Sequence, residues 1–275
     1  MYINKNKIAI LLATYNGAKY LKVQMDSLFA QTSKDWTLFV HDDGSTDNTM
    51  DIIDSYKVKY GEKVVVIDDG IKGLRARNNF FHLLEVVDSE YYMFCDQDDY
   101  WHPDMVEIFE SKLEEINING VKPLVLHSDY SLADGNLKIQ SLSYWDKAHI
   151  VPERLYNKNI ICLANPIRGA NALLNRAMKQ LLFPLKQNNF MYDNWLGYVA
   201  ACNNAAITPI HKPTNIYRIH ENNCIGSSLG SKKSIATILK GNIEKYKTLK
   251  TGDYGSPLRY IYYKIAYCFL RLTTR

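Results

Sequence analysis

A doubly wound, mostly parallel α/β sheet with a helical C-terminal extension is the fold class this 275-residue sequence predicts. Three observations carry that reading. Apolar, β-branched runs begin near Ile8, Trp36 and Val64, each 28 residues after the last, and again near Tyr91 and Leu124. Amphipathic stretches at Ala18–Gln31, Asp47–Tyr60, Arg75–Val87 and Asp104–Asn117 fill the intervals. Continuous apolar runs suit parallel strands buried on both faces, and strand alternating with helix builds βαβ units. Thirdly, the rhythm breaks after about Gly135. A polar, irregular stretch covers Asn136–Asn165, two helical stretches follow at Ala170–Leu182 and Asp193–Asn203, a strand falls near Ala206, and basic helices run from Lys232. The chain thus divides into a domain at 1–225, with halves of about 6–130 and 131–225, and a basic extension at 226–275.

The formal net charge of +4 conceals a division. Through Gly135 there are 13 Lys+Arg against 23 Asp+Glu, and beyond it 20 against 6, so −10 is followed by +14. Such asymmetry points to different partners for the two halves. The five cysteines are scattered without a CxxC pair, which argues against a zinc or disulfide framework and for a reducing cytosol. The apolar run Ile8–Ala13 is too short for a secretion signal, so the expected location is cytoplasmic. The run Tyr260–Leu272 is too short to cross a bilayer and reads as a buried or interfacial helix. Gly226 to Arg275 carry ten Lys+Arg and two acids, which suits either a solvated basic face or peripheral contact with an anionic membrane at its inner surface. Nucleic acid is not an expected partner, because the acidic half would repel its backbone.

In open parallel sheets ligands bind at the carboxyl ends of the strands. Those ends read Thr14-Tyr15-Asn16-Gly17, Asp42-Asp43-Gly44-Ser45 and Asp96-Gln97-Asp98-Asp99, with Asp68-Asp69 a further acidic pair or only a turn. Neither GxxxxGK[ST] nor GxGxxG follows the first strand. An acidic edge repels a diphosphate unless a divalent cation lies between them, and carboxylates with phosphate oxygens favour Mg²⁺ or Mn²⁺. Alternation along an extended segment puts Asp96 and Asp98 on one side. Helix capping accounts for some of these residues: Ser45 or Thr46 is a suitable N-cap, and Asp47 suits a helix start. The sequence Gly226-Ser227-Ser228-Leu229-Gly230 fits G-x-S-x-G, but its polar approach lacks the buried strand a nucleophile elbow needs.

The segments ATYNG (13–17), HDDGSTDNT (41–49), GLRARN (73–78) and DQDDYW (96–101) together resemble the family 2 glycosyltransferases, whose GT-A fold is Rossmann-like. DQDD before an aromatic pair resembles the bacterial rhamnosyltransferase branch. Ile167–Asn171, Met191–Trp195 and Tyr217–His220 with Asn222 extend the likeness to about residue 226. The resemblance implies that Ala13, Thr14, Tyr15, Asn16 and Asp43 line the nucleotide, with Arg77 nearby and Asp96 facing the ribose or donor sugar. It implies Asp98 and His220 as metal ligands, Asp99 in support, and Asp193 as general base. Trp101, Arg168, Asn171 and Trp195 are placed in a donor-sugar or acceptor pocket. Tyr192 departs from the branch, where a His often precedes the Asp. The implied reaction is inverting, metal-dependent sugar transfer from a nucleoside diphosphate donor, dTDP-L-rhamnose first. The acceptor is a hydroxyl of a surface polysaccharide, a lipopolysaccharide O-unit or a lipid-linked saccharide. Alternatives are a UDP-hexose donor, a nucleotide-sugar binding protein without turnover, and a nucleotidyltransferase, which the single Gly17 after strand one disfavours.

Overall fold

The computed structural model describes residues 1–116, 122–183, 185, 190–221, 242–243, 245–247, 249–250 and 255–272. The strands are β1 (Tyr2–Ile3), β2 (Ile8–Thr14), β3 (Trp36–Asp42), β4 (Val64–Val66), β5 (Val87–Asp88), β6 (Tyr91–Asp96), β7 (Tyr100–Trp101), β8 (Leu124–Ala133), β9 (Ile139–Ser141), β10 (Ala172–Asn175) and β11 (Ala206–Arg218). The helices are α1 (Ala18–Phe29), α2 (Thr49–Tyr60), α3 (Arg75–Val86), α4 (Met105–Ile116), α5 (Tyr144–Ala148), α6 (Lys158–Ile161), α7 (Arg176–Leu182), α8 (Tyr192–Cys202) and α9 (Pro257–Leu272).

Period-two alternation splits each central strand between two cores. On β2, Ile8, Ile10 and Leu12 join one core with α1, α2 and α4. Ala9 and Leu11 face the other, with α3, α7 and α8. Burying both faces explains the unbroken apolar runs, at roughly 1.5–3 kcal/mol for each large aliphatic or aromatic side chain removed from water. The nine-stranded sheet has the order β4-β3-β2-β6-β10-β8-β11-β7, with β9 on β8. Strands β4, β3, β2 and β6 are parallel, β10 is antiparallel to both β6 and β8, and β11 is parallel to β8. The chain steps outward from β2 through β3 to β4 and then returns to β6, so the strand order reverses between β2 and β6. Ligand crevices form at such a switch point. Register brings the acidic strand ends together, Thr14 beside Asp42 and Ala13 beside Asp96.

The segment expected to be helical over Ala170–Leu182 is corrected: Ala172–Asn175 form β10, and only Arg176–Leu182 are helical. A short apolar run such as Ala-Leu-Leu-Asn has no period that separates strand from buried helix, and pairing with β6 and β8 decides it. Asn175 then caps α7, its side chain accepting from the Met178 N–H at 2.9 Å. Neither Ser45 nor Thr46 caps α2, whose N-cap is Asn48. The Gly226–Gly230 motif and the 225/226 boundary fall outside the described residues. Leu249 and Tyr260 belong to the same core as α3 and α8, and Arg259 Nη2 donates to Asn159 Oδ1 at 2.6 Å. No described helix is long and apolar enough to cross a membrane.

Candidate active site

The ends of β2, β3 and β6 open on a cavity of about 1360 Å³. Its lining also draws on the 136–165 stretch, which is not irregular as the sequence suggests but carries β9, α5 and α6, on the start of α8 and on Tyr267 of α9. Ala13, Thr14, Tyr15, Asn16, Asp43, Asp96, Asp98, Arg168, Asp193 and His220, all singled out from the sequence, line it.

The floor is built by tight turns. Asp42 Oδ2 accepts from the N–H groups of Gly44 (3.0 Å) and Ser45 (2.7 Å), and Gly44 adopts φ +93°, which glycine adopts without steric cost. Both Asp43 oxygens accept main-chain N–H groups, Oδ1 from Leu74 at 2.6 Å and Oδ2 from Arg75 at 2.7 Å. Asp43 thereby fixes the loop before α3 against the end of β3. Gln97 bonds both ways to Tyr15, accepting from its N–H at 2.9 Å and donating to its carbonyl at 3.0 Å. A Cβ on Gly17 would lie 2.2 Å from Gln97 Oε1, so a larger residue there would displace the Gln97 amide from its two bonds to Tyr15.

The carboxylates meet one half-buried cation. Arg168 Nη2 lies 3.4 Å from Asp96 Oδ2 and 3.7 Å from Asp99 Oδ2. Its guanidinium stacks 3.4 Å from the Tyr217 ring centroid, with Tyr130 at 5.2 Å. Burial pushes the Asp96 carboxyl up to about 6, with Asp98 and Asp193 adding negative charge and Arg168 opposing. Burial likewise raises Asp99 well above the usual carboxylate range, again against the pull of Arg168.

Asp193 sits in the first turn of α8, after the N-cap Met191, and its Oδ1 accepts from the Asn194 N–H at 2.7 Å. Burial raises its carboxyl, opposed by that N–H and by Arg168. A carboxylate moved toward neutrality is a stronger base for a hydroxyl proton. Tyr192 donates to Asp96 Oδ1 at 3.4 Å, and its ring occupies the space beside Gly169.

His220 Nε2 lies 2.8 Å from Asp98 Oδ2, its ring against Tyr20 with centroids 4.6 Å apart. Arg218 Nε donates to the Asp98 carbonyl at 2.9 Å and so ties the end of β11 to the acidic loop. One carboxylate and one imidazole facing a cavity fit a divalent cation that keeps further positions for phosphate oxygens or water.

Five sequence-selected residues lie elsewhere. Arg77 is not among the lining residues: its Nε donates to the Phe190 carbonyl at 2.6 Å, while Arg75 and Lys72 reach the cavity. Trp101 and Trp195 are core side chains, 0% and 4% exposed, because each follows the apolar face of its element. Asn171 is fully buried as a cross-link, its Nδ2 donating to the Asp129 carbonyl (3.1 Å) and to Asn215 Oδ1 (2.6 Å). Asp99 lies beneath Arg168, outside the lining. Gln97, Gly169 and Arg218 were not singled out as site residues from the sequence. Gln97 sits inside the DQDD motif, Gly169 inside the Ile167–Asn171 segment and Arg218 inside Tyr217–His220, so the segments were visible in the sequence while the contacts of these three residues were not.

Residues 9–182 match the sequence profile described as Glycosyl transferase family 2, and the chain belongs to that family. It is a glycosyltransferase with the GT-A fold. The dTDP-rhamnosyl transferase RfbG of Shigella flexneri is 29% identical over 228 residues, 80% of this chain and 75% of that protein. The poly(ribitol-phosphate) beta-glucosyltransferase of Bacillus spizizenii is 34% identical over 131 residues, 42% of this chain but 20% of its own length. The crystal structure of S. aureus TarS 1–349 with UDP-GlcNAc shares the fold at TM-score 0.59 and 19% identity, over 82% of this chain and 62% of TarS 1–349. The mannosyltransferase PcManGT of Pyrobaculum calidifontis, in complex with GDP-Man and Mn²⁺, gives TM-score 0.57 at 12% identity, over 79% and 58%.

Proposed function

We propose that this chain transfers L-rhamnose from dTDP-L-rhamnose, with inversion, to a hydroxyl of a growing surface polysaccharide or lipid-linked oligosaccharide. The observation that carries the reading is the opening of Asp193 and the Asp98–His220 pair onto one cavity at the strand-order switch. The choice of dTDP-rhamnose is supported by the relative of that name, which aligns with most of this chain.

In this reading the nucleotide lies across Ala13–Asn16 and Asp43, with Lys72 and Arg75 at its rim. Asp98 and His220 hold Mg²⁺ or Mn²⁺, which when bound offsets the negative charge of the leaving diphosphate. Asp96, steadied by Arg168 and Tyr192, orients the ribose or donor sugar. Asp193 takes the proton from the acceptor hydroxyl, whose oxygen attacks the anomeric carbon on the face opposite the diphosphate. One displacement of this kind inverts that carbon, and a placed base contributes about 10²–10⁴-fold.

A membrane-linked acceptor agrees with α9, where Leu258, Ile261, Tyr262, Ile265 and Phe269 are exposed at helical spacing. Beside the excess of Lys and Arg from Gly226 onward, this stripe suits the inner surface of an anionic cytoplasmic membrane. The deciding experiment is a thermal-shift comparison of dTDP-, UDP- and GDP-sugars with Mn²⁺ or Mg²⁺. A dTDP-selective, metal-dependent shift that disappears in Asp98→Ala is expected. A UDP-only shift overturns the donor, and a shift indifferent to metal and to Asp98 overturns the metal ligands.

A further inference from the structure

A second group of metal-capable side chains lies outside the cavity lining, and the proposed sugar transfer does not use it. His41 is the penultimate residue of β3, Asp69 follows β4, and His82 lies within α3. One ligand atom from each can be chosen so that all lie within 4.8 Å of one another, the only such group of three among the described residues. His82 Nε2 is 2.6 Å from Asp69 Oδ2, and His41 Nε2 is 3.5 Å from Asp69 Oδ1. His41 opens the 41–49 segment and Asp69 belongs to the acidic pair after β4, but the three members come from separate elements at spacings that match no ligand motif.

The hydrogen bonds around His41 point to a ligand. Asn79 Nδ2 donates to the His41 carbonyl at 3.2 Å, which fixes the amide so that its oxygen faces His41 Nδ1 at 2.7 Å. An amide oxygen only accepts, so Nδ1 carries a ring proton. Nε2 then faces a carboxylate oxygen at 3.5 Å beside a ring that is 1% exposed, a position that either a second proton or a metal ion fills. An imidazole held by its other nitrogen on a carbonyl-type acceptor is the usual outer support of a metal-bound histidine.

We propose that His41 Nε2, His82 Nε2 and a carboxylate oxygen of Asp69 bind one Zn²⁺-class ion, separate from any metal held by Asp98 and His220. Two imidazoles and one carboxylate suit zinc in four-coordination, with water as the fourth ligand. Ion uptake displaces the His82–Asp69 hydrogen bond and releases the proton it holds. The role is structural. The ion clamps the end of β3 and α3 to the loop after β4, and that loop carries Lys72 and Gly73 to the cavity and Leu74 and Arg75 to Asp43.

The test uses the full chain carrying Asp98→Ala, which silences the Asp98–His220 pair, titrated with Co²⁺ alone and then with Zn²⁺ as competitor. One equivalent of Co²⁺ with the visible absorption of a four-coordinate site, displaced by Zn²⁺, is expected. Adding His82→Gln or Asp69→Asn should weaken uptake by more than about 100-fold, and Asn79→Ala by about 10–100-fold. Circular dichroism of the metal-free variants verifies folding, and the two ligand variants act independently of each other. Absence of a four-coordinate spectrum in the Asp98→Ala protein, or uptake indifferent to a folded His82→Gln or Asp69→Asn variant, overturns the proposal.

Discussion

Arg168→Met tests how the acidic edge is held together. The substitution keeps an unbranched apolar stem between Tyr130 and Tyr217 but removes the positive charge 3.4 Å from Asp96 and 3.7 Å from Asp99. Asp99 is 0% exposed, and its Oδ1 already has no hydrogen-bond partner. Removing one partner of a buried pair and stranding the other costs about 3–5 kcal/mol. At roughly 2–4 °C per kcal/mol for a chain of this size, the melting temperature at pH 7 should fall by about 10 °C. The pH dependence gives the sharper signature. Both carboxyls have folded pKa values raised above their unfolded ones, so between about pH 4 and 6 the folded state binds more protons than the unfolded state. Stability associated with them is therefore present at low pH and lost as pH rises through the folded pKa. Without Arg168 the folded values rise further, so the variant's deficit should shrink at pH 5 relative to pH 7. The assay is paired thermal melts of both proteins across that window. Wild-type stability at pH 7, or a deficit independent of pH, would refute the buried-charge account.

Two further outcomes follow from packing. Gly169→Ala places a Cβ 2.1 Å from Tyr192 Cε2, and that ring is held between Phe80 and Phe94 at 4.3 and 5.0 Å. A cost of about 1–3 kcal/mol is expected in denaturant melts, with most of it recovered by a second change, Tyr192→Leu; strict additivity would contradict the clash. Ile261→Ser with Phe269→Ser removes two exposed apolar side chains from α9 and should reduce flotation with vesicles of anionic lipid while leaving the melting temperature unchanged. Equal flotation of variant and parent would remove α9 from the membrane account.

The parts legible in the sequence are those whose signal is local. Buried parallel strands announce themselves as unbroken apolar runs, and their acidic ends fall where ligands bind, so Asp43, Asp96 and Asp98 could be placed on the cavity before the fold was known. Period fails for β10, since four residues paired antiparallel on both sides look like the start of a helix. Side-chain direction fails too. Arg75 and Arg77 differ by two positions on α3, a rotation of about 200° around a helix, and only Arg75 reaches the cavity. Trp101 and Asn171 lie inside motif segments yet serve the core and a buried cross-link. Relations between distant elements leave no local trace, which is why the meeting of His41, Asp69 and His82 and the bond from Arg218 to the Asp98 carbonyl emerge only from the fold, although His41, Asp69 and Arg218 lie in segments visible in the sequence.

The central claim is that Asp193 acts as the base on a donor bound in this cavity. Single-turnover transfer by Asp193→Asn, measured beside the dissociation constant of the donor nucleotide, tests it most directly. Donor affinity within a few-fold of the parent and a transfer rate lower by about 10²–10⁴-fold is the expected result. Undiminished transfer, or loss of donor binding with the residual rate intact, would contradict it.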